Sequence, residues 1–439
     1  MDATKKKVFV LTQKLRMQPD VALWKLANEN VIYSVAMGRK TVWGPRLSIL
    51  CRVMELADKI NTADFIIFFV GMLRATAIWW SVKKRLFTRK KIKKNSSFDN
   101  VFSGFGASSE EYLYVDYISQ SKGNTLRINW ATQGGVHHLG CPSLADILCL
   151  VFQNAFGQTN KLKNSIDEVS SNAVDFMTVC AANIAAYSFY RSFWKMAKWQ
   201  GVKEVATLAL DVPAYACVDE GISTIYLQHG LMALSILIPE KLDCINALTA
   251  DEELFFKATS GVGRINRVIN IAGDIGERND VLMMMSMNVF QEERLLACEP
   301  LIQWAEKIGL QILIRPTPAV TRENLNLLLK RIPGSLCDNL ADPLSVSFEK
   351  WRPKLVTAWT STGLATALDY GCLPISLCNP EDNDLWGNMI YPMKERVLFW
   401  PRDKGLIEAA IQSKEVYCSQ LKTLRNHRSS FYLESTSLA

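Results

Sequence analysis

Short apolar runs alternate with amphipathic stretches along this chain, and the alternation is cleanest after residue 200. Runs rich in β-branched and large apolar residues predict strands at Glu204–Leu210, Ser223–Leu227, Ala247–Thr249, Arg267–Ala272, Gln311–Ile314, Leu355–Ala358, Leu373–Leu377 and Val397–Phe399. Between them, apolar residues three and four apart predict helices at Val212–Asp219, Asp251–Thr259, Glu292–Ile308, Arg322–Arg331, Gly363–Tyr370 and Gly405–Ile411. The first 200 residues are more helical. There 47–60 and Ala173–Trp199 have helical spacing, Val8–Leu11 and Glu111–Val115 read as strands, and 124–141, with Gly134-Gly135 and His137-His138, reads as a loop.

Strands alternating with helices at short spacing form parallel βαβ units, with helices on both faces of a sheet. At 439 residues, 49% of them hydrophobic, the chain exceeds one ordinary core. The expected fold is therefore α/β, with two Rossmann-type domains facing each other across a cleft. The sequence suggests a division into 1–240 and 241–415, with a helix or tail at 416–439.

Charged residues at 21% and aromatics at 10% exclude a largely disordered chain. The 11 cysteines are scattered singly, never as CxxC, which reads as reduced thiols and not as a disulfide frame or zinc site. Met1-Asp2-Ala3-Thr4-Lys5-Lys6-Lys7 leads directly into Val8-Phe9-Val10-Leu11 without a signal-like apolar core, so a cytoplasmic protein is expected.

The net charge of +7 is concentrated. Lys83, Lys84, Arg85, Arg89, Lys90, Lys91, Lys93 and Lys94 follow an apolar stretch that begins at Ala63 and ends in Trp79-Trp80. Apolar surface followed by basic residues suits an anionic membrane surface, so 63–94 is expected to hold the chain peripherally on the inner face of the cytoplasmic membrane. Asp64 and Arg74 interrupt the run and disfavour a full span. A core helix with a solvated basic loop is the alternative. Nucleic acid is not an expected partner, because no aromatic-basic interleaving accompanies the charges.

In parallel sheets ligands bind beyond the carboxyl ends of strands, so the residues just after each strand are the candidates. One apolar run ends in Gln228-His229-Gly230, which would deliver an imidazole to a strand tip with a glycine to turn the chain. A core or loop histidine is the alternative. A second run ends in Arg315-Pro316-Thr317-Pro318, where a guanidinium could grip phosphate or pair on the surface. A third runs into Thr360-Ser361-Thr362-Gly363 and then a helix, a pattern that suits either anion binding or N-capping. Among carboxylates, Asp211 follows a strand and Glu110 lies just after the small-residue stretch 103–109. Each could act as base or nucleophile, or serve as a cap or surface charge.

Taken together, these motifs resemble bacterial GT-B glycosyltransferases and the related CDP-polyol phosphotransferases of surface-polymer synthesis, including capsule-type Kdo and sialic acid transferases. Those families carry a Gln-His-Gly at the end of the first domain, an Arg-Pro-His-Pro after a strand of the second, and a Ser/Thr cluster opening a helix. The resemblance covers 205–415 well and 1–200 in outline, and Thr317 stands where the family pattern has histidine.

The resemblance implies transfer of a sugar from a nucleotide-activated donor, CMP- or CDP-linked, to a lipid-linked or oligosaccharide acceptor in capsule, O-antigen or lipopolysaccharide assembly. It implies no separate cofactor, and no acidic metal-ligand cluster such as DxD stands in the cleft motifs. His229, Asp211 and Glu110 are the candidates for catalysis. Arg315, Thr317, Thr360, Ser361, Thr362, Gly363, Gln228 and Gly230 are the candidates for holding the donor and its phosphate. The competing readings are a CDP-polyol phosphotransferase, a GT-B-like UDP-sugar epimerase and a two-domain sugar-binding protein.

Overall fold

Strands covered on both faces show continuous burial instead of alternation, and this chain has them: Asn100–Gly104 is buried at every position, as is Leu373–Ser376. A computed structural model describes residues 10–12, 45–88, 97–104, 109–130, 135–156, 173–228, 238–239, 241–267, 277–287, 292–316, 322–339, 342, 344–359, 361, 363–378 and 395–427.

The first sheet contains β1 (Asn100–Gly104), β2 (Thr125–Asn129), β3 (Glu204–Thr207), β4 (Ser223–Leu227), β5 (Cys244–Ala247) and β6 (Arg264–Arg267), in the order β2-β1-β3-β4-β5-β6. The second contains β7 (Asn279–Met287), β8 (Gln311–Pro316), β9 (Leu336–Cys337), β10 (Pro353–Ala358), β11 (Leu373–Ser376) and β12 (Leu398–Phe399), in the order β12-β11-β10-β7-β8-β9. All neighbouring strands in both sheets are parallel. The chain thus has the α/β architecture of two Rossmann-type domains in sequence.

With the first sheet go helices α1 (Pro45–Lys59), α2 (Ala63–Thr88), α3 (Ser109–Gln120), α4 (Val136–Leu139), α5 (Leu144–Ala155), α6 (Ala173–Trp199), α7 (Val212–Asp219) and α8 (Ala250–Thr259). With the second go α9 (Glu292–Lys307), α10 (Arg322–Arg331), α11 (Leu344–Trp351), α12 (Gly363–Asp369), α13 (Lys404–Gln412) and α14 (Lys414–Asn426).

Several expectations change. The chain passes from one sheet to the other between β6 and β7, after Arg267, later than the expected 240/241 division. The cause is that β5 and β6, each four residues long, extend the first sheet. Residues 111–115 belong to α3, because Leu113 and Tyr117 are buried four apart on one helical face. Residues 10–12 are helical, and the supposed loop at 124–141 contains β2 and the short α4. Of the helix or tail expected at 416–439, residues 416–426 lie in α14, and 428–439 lie outside the described residues. The Tyr417 hydroxyl lies 2.9 Å from the carbonyls of both Lys354 and Gly371 and shares its single proton between them, pinning α14 to the second domain.

The hydrophobic cores are separate, one group of clusters around the first sheet and one around the second. A largely buried ion pair joins the two parts: Arg396 Nη1 reaches Asp251 Oδ2 of α8 at 3.3 Å, and its Nε lies 3.4 Å from the Leu424 carbonyl of α14.

The helical wall of the first domain is tightest where α2 meets α5 and α6. A Cβ added at Gly71 would lie 2.8 Å from Ile184 Cγ2 and 2.9 Å from Val151 Cγ1. A leucine there overfills a packed core, so Gly71→Leu is expected to cost about 1–3 kcal/mol in urea unfolding. An unchanged midpoint would show that the wall is looser than drawn.

Candidate active site

The first sheet grows outward from β1 to β2, then the chain returns to lay β3 on the other side of β1. Its crossovers therefore diverge above β1 and β3, and the crevice this leaves at the strands' carboxyl ends is where such sheets bind ligands. Both carboxylates singled out from the sequence follow those two strands.

Glu110 stands in the first turn of α3, immediately after β1, and is 3% exposed. Its carboxylate lies so close to Gly104 that a Cβ there would sit 2.5 Å from Glu110 Oε2. The glycine at this strand tip is thus dictated by the acid beside it. Trp130, the residue after β2, closes the adjoining side. Its backbone N–H donates to the Gly104 carbonyl at 2.9 Å and its Nε1 donates to Ser103 Oγ at 2.7 Å. Its ring meets the Tyr190 ring of α6 edge-on at 4.8 Å.

Asp211 follows β3. Thr207 Oγ1 donates to the Ala209 carbonyl at 2.9 Å across the intervening turn, and Asp211 then caps α7, with Oδ1 3.4 Å from the Ala214 N–H. The expected capping role is real, yet it does not hold the carboxylate at ordinary acidity. Burial raises its pKa to about 7, outweighing the N–H groups of Ala214 and of its own backbone, which lower it. Tyr190 is a neighbour of this charge: burial first, and then Asp211, push its hydroxyl up to about 12. Trp130 and Tyr190 escape sequence reasoning, since one follows a strand that resembles a loop and the other sits within a long helix. Only their contacts mark them.

At the end of β4, Gln228 is 1% exposed and fastens two strand tips. Its N–H donates to the Asn246 carbonyl at 3.2 Å, and its Oε1 accepts from the Leu248 N–H at 2.8 Å. Its position at the strand tip is as expected, and its side-chain oxygen serves the join between β4 and β5. His229 and Gly230 lie outside the described residues, as do Thr317, Thr360 and Thr362.

The second sheet reverses in the same way, between β7 and β10. Ser361 and Gly363 follow β10 at this point. Gly363 allows close approach to β7, since a Cβ there would lie 2.8 Å from Met285 Cε. Ser361 Oγ accepts from the Gly363 N–H at 3.1 Å, so one hydroxyl of the cluster takes part in the turn into α12.

Arg315, at the end of β8, is committed inward. Its Nη1 pairs with Asp338 and donates to Ser347 Oγ at 2.5 Å, while Nη2 donates to the Asp342 carbonyl at 2.7 Å. Asp338 is fully buried and also accepts from Trp351 Nε1 at 2.9 Å. A phosphate gripped through the same two nitrogens would have to displace these partners, so the geometry makes Arg315 an anchor between β8 and α11. Among the described residues no three His, Cys, Asp or Glu side chains gather as metal ligands would.

No protein-family model matches this chain, and no curated protein matches it significantly. Solved structures to which it is similar include Acinetobacter baumannii MurG, at 10% identity and a TM-score of 0.40 over 77% of this chain and 99% of that one. Another is S. aureus MnaA with UDP, at 10% identity and 0.42 over 77% and 94%. A third is the wall teichoic acid polymerase TagF, at 11% identity and 0.41 over 90% and 96%. Likeness at this level carries no function to this chain, and its fold rests on its own strand order.

The acidity of Asp211 has a consequence for stability. The folded state holds its proton up to about pH 7, whereas an unfolded aspartate releases it near 3.9, so folding stability falls as pH rises through that window. Asp211→Asn keeps a capping side chain and removes the titration. Relative to the parent, the variant should gain stability between about pH 4 and pH 8, by up to about 4 kcal/mol, in urea melts across that range. A pH-independent difference would refute the raised pKa.

Proposed function

We propose that this chain is a glycosyltransferase that moves a sugar from a nucleotide-activated donor to a hydroxyl of a saccharide or lipid-linked acceptor in bacterial surface-polysaccharide assembly. The observation that carries this reading is Asp211: a carboxyl of near-neutral acidity at the reversal point of a parallel sheet, with the buried Glu110 following the strand beside it. A carboxyl tuned to that range is matched to proton transfer at neutral pH.

Glycosyl transfer needs a base for the acceptor hydroxyl and a site for the charge that develops on the leaving phosphate. On this reading the acceptor enters over the first sheet, and its hydroxyl gives its proton to Asp211 as its oxygen bonds to the sugar's anomeric carbon. The bond from that carbon to phosphate breaks, and the electron pair leaves with the nucleotide. A single displacement with an acceptor-side base inverts the anomeric centre.

The donor lies against the second sheet, where Ser361 with Thr360 and Thr362 supplies hydrogen bonds to the phosphate at the β7/β10 reversal. Arg315 holds the end of the neighbouring strand β8 in place through Asp338 and Ser347. His229, which follows Gln228 at the tip of β4, donates a hydrogen bond to the donor sugar or phosphate. A CMP- or CDP-linked donor is favoured by the motif resemblance. The step as written draws on no metal ion.

Two measurements test the reading together. In a thermal-shift series with CMP, CDP, UDP, GDP and dTDP, one nucleotide should stabilise the protein, by about 2.7 kcal/mol at a hundredfold excess over its dissociation constant. Asp211→Asn should keep that shift while lowering transfer about 10²–10⁴-fold. Stabilisation by none of the five, or full transfer by Asp211→Asn, would sink the proposal. Conversion of a UDP-sugar without any acceptor would favour an epimerase.

A further inference from the structure

Helix α2 packs one side against the domain, where Ile67 and Val82 are buried beside its small residues. Ala63, Gly71 and Ala75 are buried, and the Gly71 position is closed in by α5 and α6. On the opposite side Phe65, Phe69, Leu73 and Trp80, spaced by four, four and seven residues, are each between 59% and 62% exposed. A helix that only walls a soluble domain turns its large apolar residues to the core.

Helix α1 and its end repeat the arrangement. Ile49, Leu56 and Ile60 are between 65% and 69% exposed, while Met54 and Ala57 face inward. Both helices pack on α6, so the two apolar stripes are on elements that share one support. Phe152 of α5, 57% exposed, joins them through Phe68, whose ring is 5.7 Å away. An apolar surface shared by three helices marks an interaction face.

The charges decide what covers it. Lys83 lies over the Trp79 ring at 4.3 Å, Lys84 and Arg85 are exposed at the end of α2, and the sequence continues with Arg89, Lys90, Lys91, Lys93 and Lys94. A second copy of the chain would bring the same positive charges and repel them. An anionic lipid surface complements them, and each basic residue near such a surface strengthens partitioning roughly five-fold.

The stretch Ala63–Arg85, 23 residues, is long enough to cross a bilayer. Its inner side, however, is occupied by α5 and α6 of the domain that carries the first sheet, and Arg74 is exposed beside the stripe. A span would carry those neighbours into the lipid core, whereas an in-plane helix leaves them above it. We propose that α1 and α2 dock in plane on an anionic membrane surface, with Phe65, Phe69, Leu73 and Trp80 entering the acyl boundary and Lys83, Lys84 and Arg85 at the end of α2 meeting the headgroups. This inference is independent of the transferase reading, and its failure would leave that reading untouched.

The test is co-sedimentation of the full chain with phosphatidylcholine vesicles, with and without about a third phosphatidylglycerol. Binding is expected to the anionic vesicles and to be at least about ten-fold weaker on the neutral ones. Phe65→Ser/Phe69→Ser/Trp80→Ser removes only exposed side chains, so it should retain the parental melting temperature and lose binding about ten-fold or more. Replacing Lys83, Lys84 and Arg85 by Gln should weaken binding roughly a hundred-fold and leave the apolar face intact. Absence of binding to anionic vesicles, or binding unchanged in both variants, would overturn the proposal. So would a vesicle-free dimer that the triple serine variant dissociates, which would assign the face to a second copy.

Discussion

A parallel sheet that grows in both directions from an interior strand must reverse its crossovers once, and this molecule has two such reversals, with the candidate carboxylates beside one and Ser361 beside the other. Parallel pairing requires each strand to be followed by a return over a sheet face. Where the returns diverge, no crossover covers the carboxyl ends of the two central strands. The first sheet reverses between β1 and β3, the second between β7 and β10. Among the described residues, two carboxylates follow the strands of the first reversal, and the Ser361 hydroxyl and a close-packed glycine follow β10 at the second. Gly104 at a strand tip and Gly363 at the start of α12 are small for the same reason, since each is met closely by a side chain, Glu110 in one case and Met285 in the other.

Desolvation of charge is resolved in two opposite ways at Arg315 and Asp211. Arg315 enters a low-polarity region with Asp338, Ser347 and the Asp342 carbonyl in place, so its charge is met by partners of fitting geometry. Asp211 is half-buried, with two backbone N–H groups and no cation among the causes of its shift, and desolvation prevails. A satisfied charge fixes structure. A charge desolvated without a counter-ion becomes a proton donor and acceptor near neutrality.

Much of the second domain was legible in the sequence because its strands are continuous apolar runs separated by amphipathic helices; Gln311–Ile314, Leu355–Ala358 and Leu373–Ser376 fall where the pattern puts them. Asn100–Gly104 was hidden by its polar and small residues, and Asn279–Met287 by a methionine run without a β-branched signature. The domain changeover was misplaced because β5 and β6 are short, and only their pairing to β4 assigns them. Asp211 and Glu110 were recognisable as acids after strands or small-residue turns. The inward commitment of Arg315 was not, since its partner Asp338 is 23 residues away and its pairing is a property of the fold. Likewise, which side of the 63–88 helix faces the domain cannot be read from a run that is apolar on every side.

The central claim is that Asp211 is the base at the first reversal point. The most direct test is the pH dependence of kcat/KM for transfer to the acceptor, which reports the acidity of essential groups in the free enzyme. The account predicts an ascending limb near pH 7 in the parent, matching the raised carboxyl, and its disappearance from the residual activity of Asp211→Asn. A limb that persists unchanged in that variant would contradict the account and assign the titrating base to another residue.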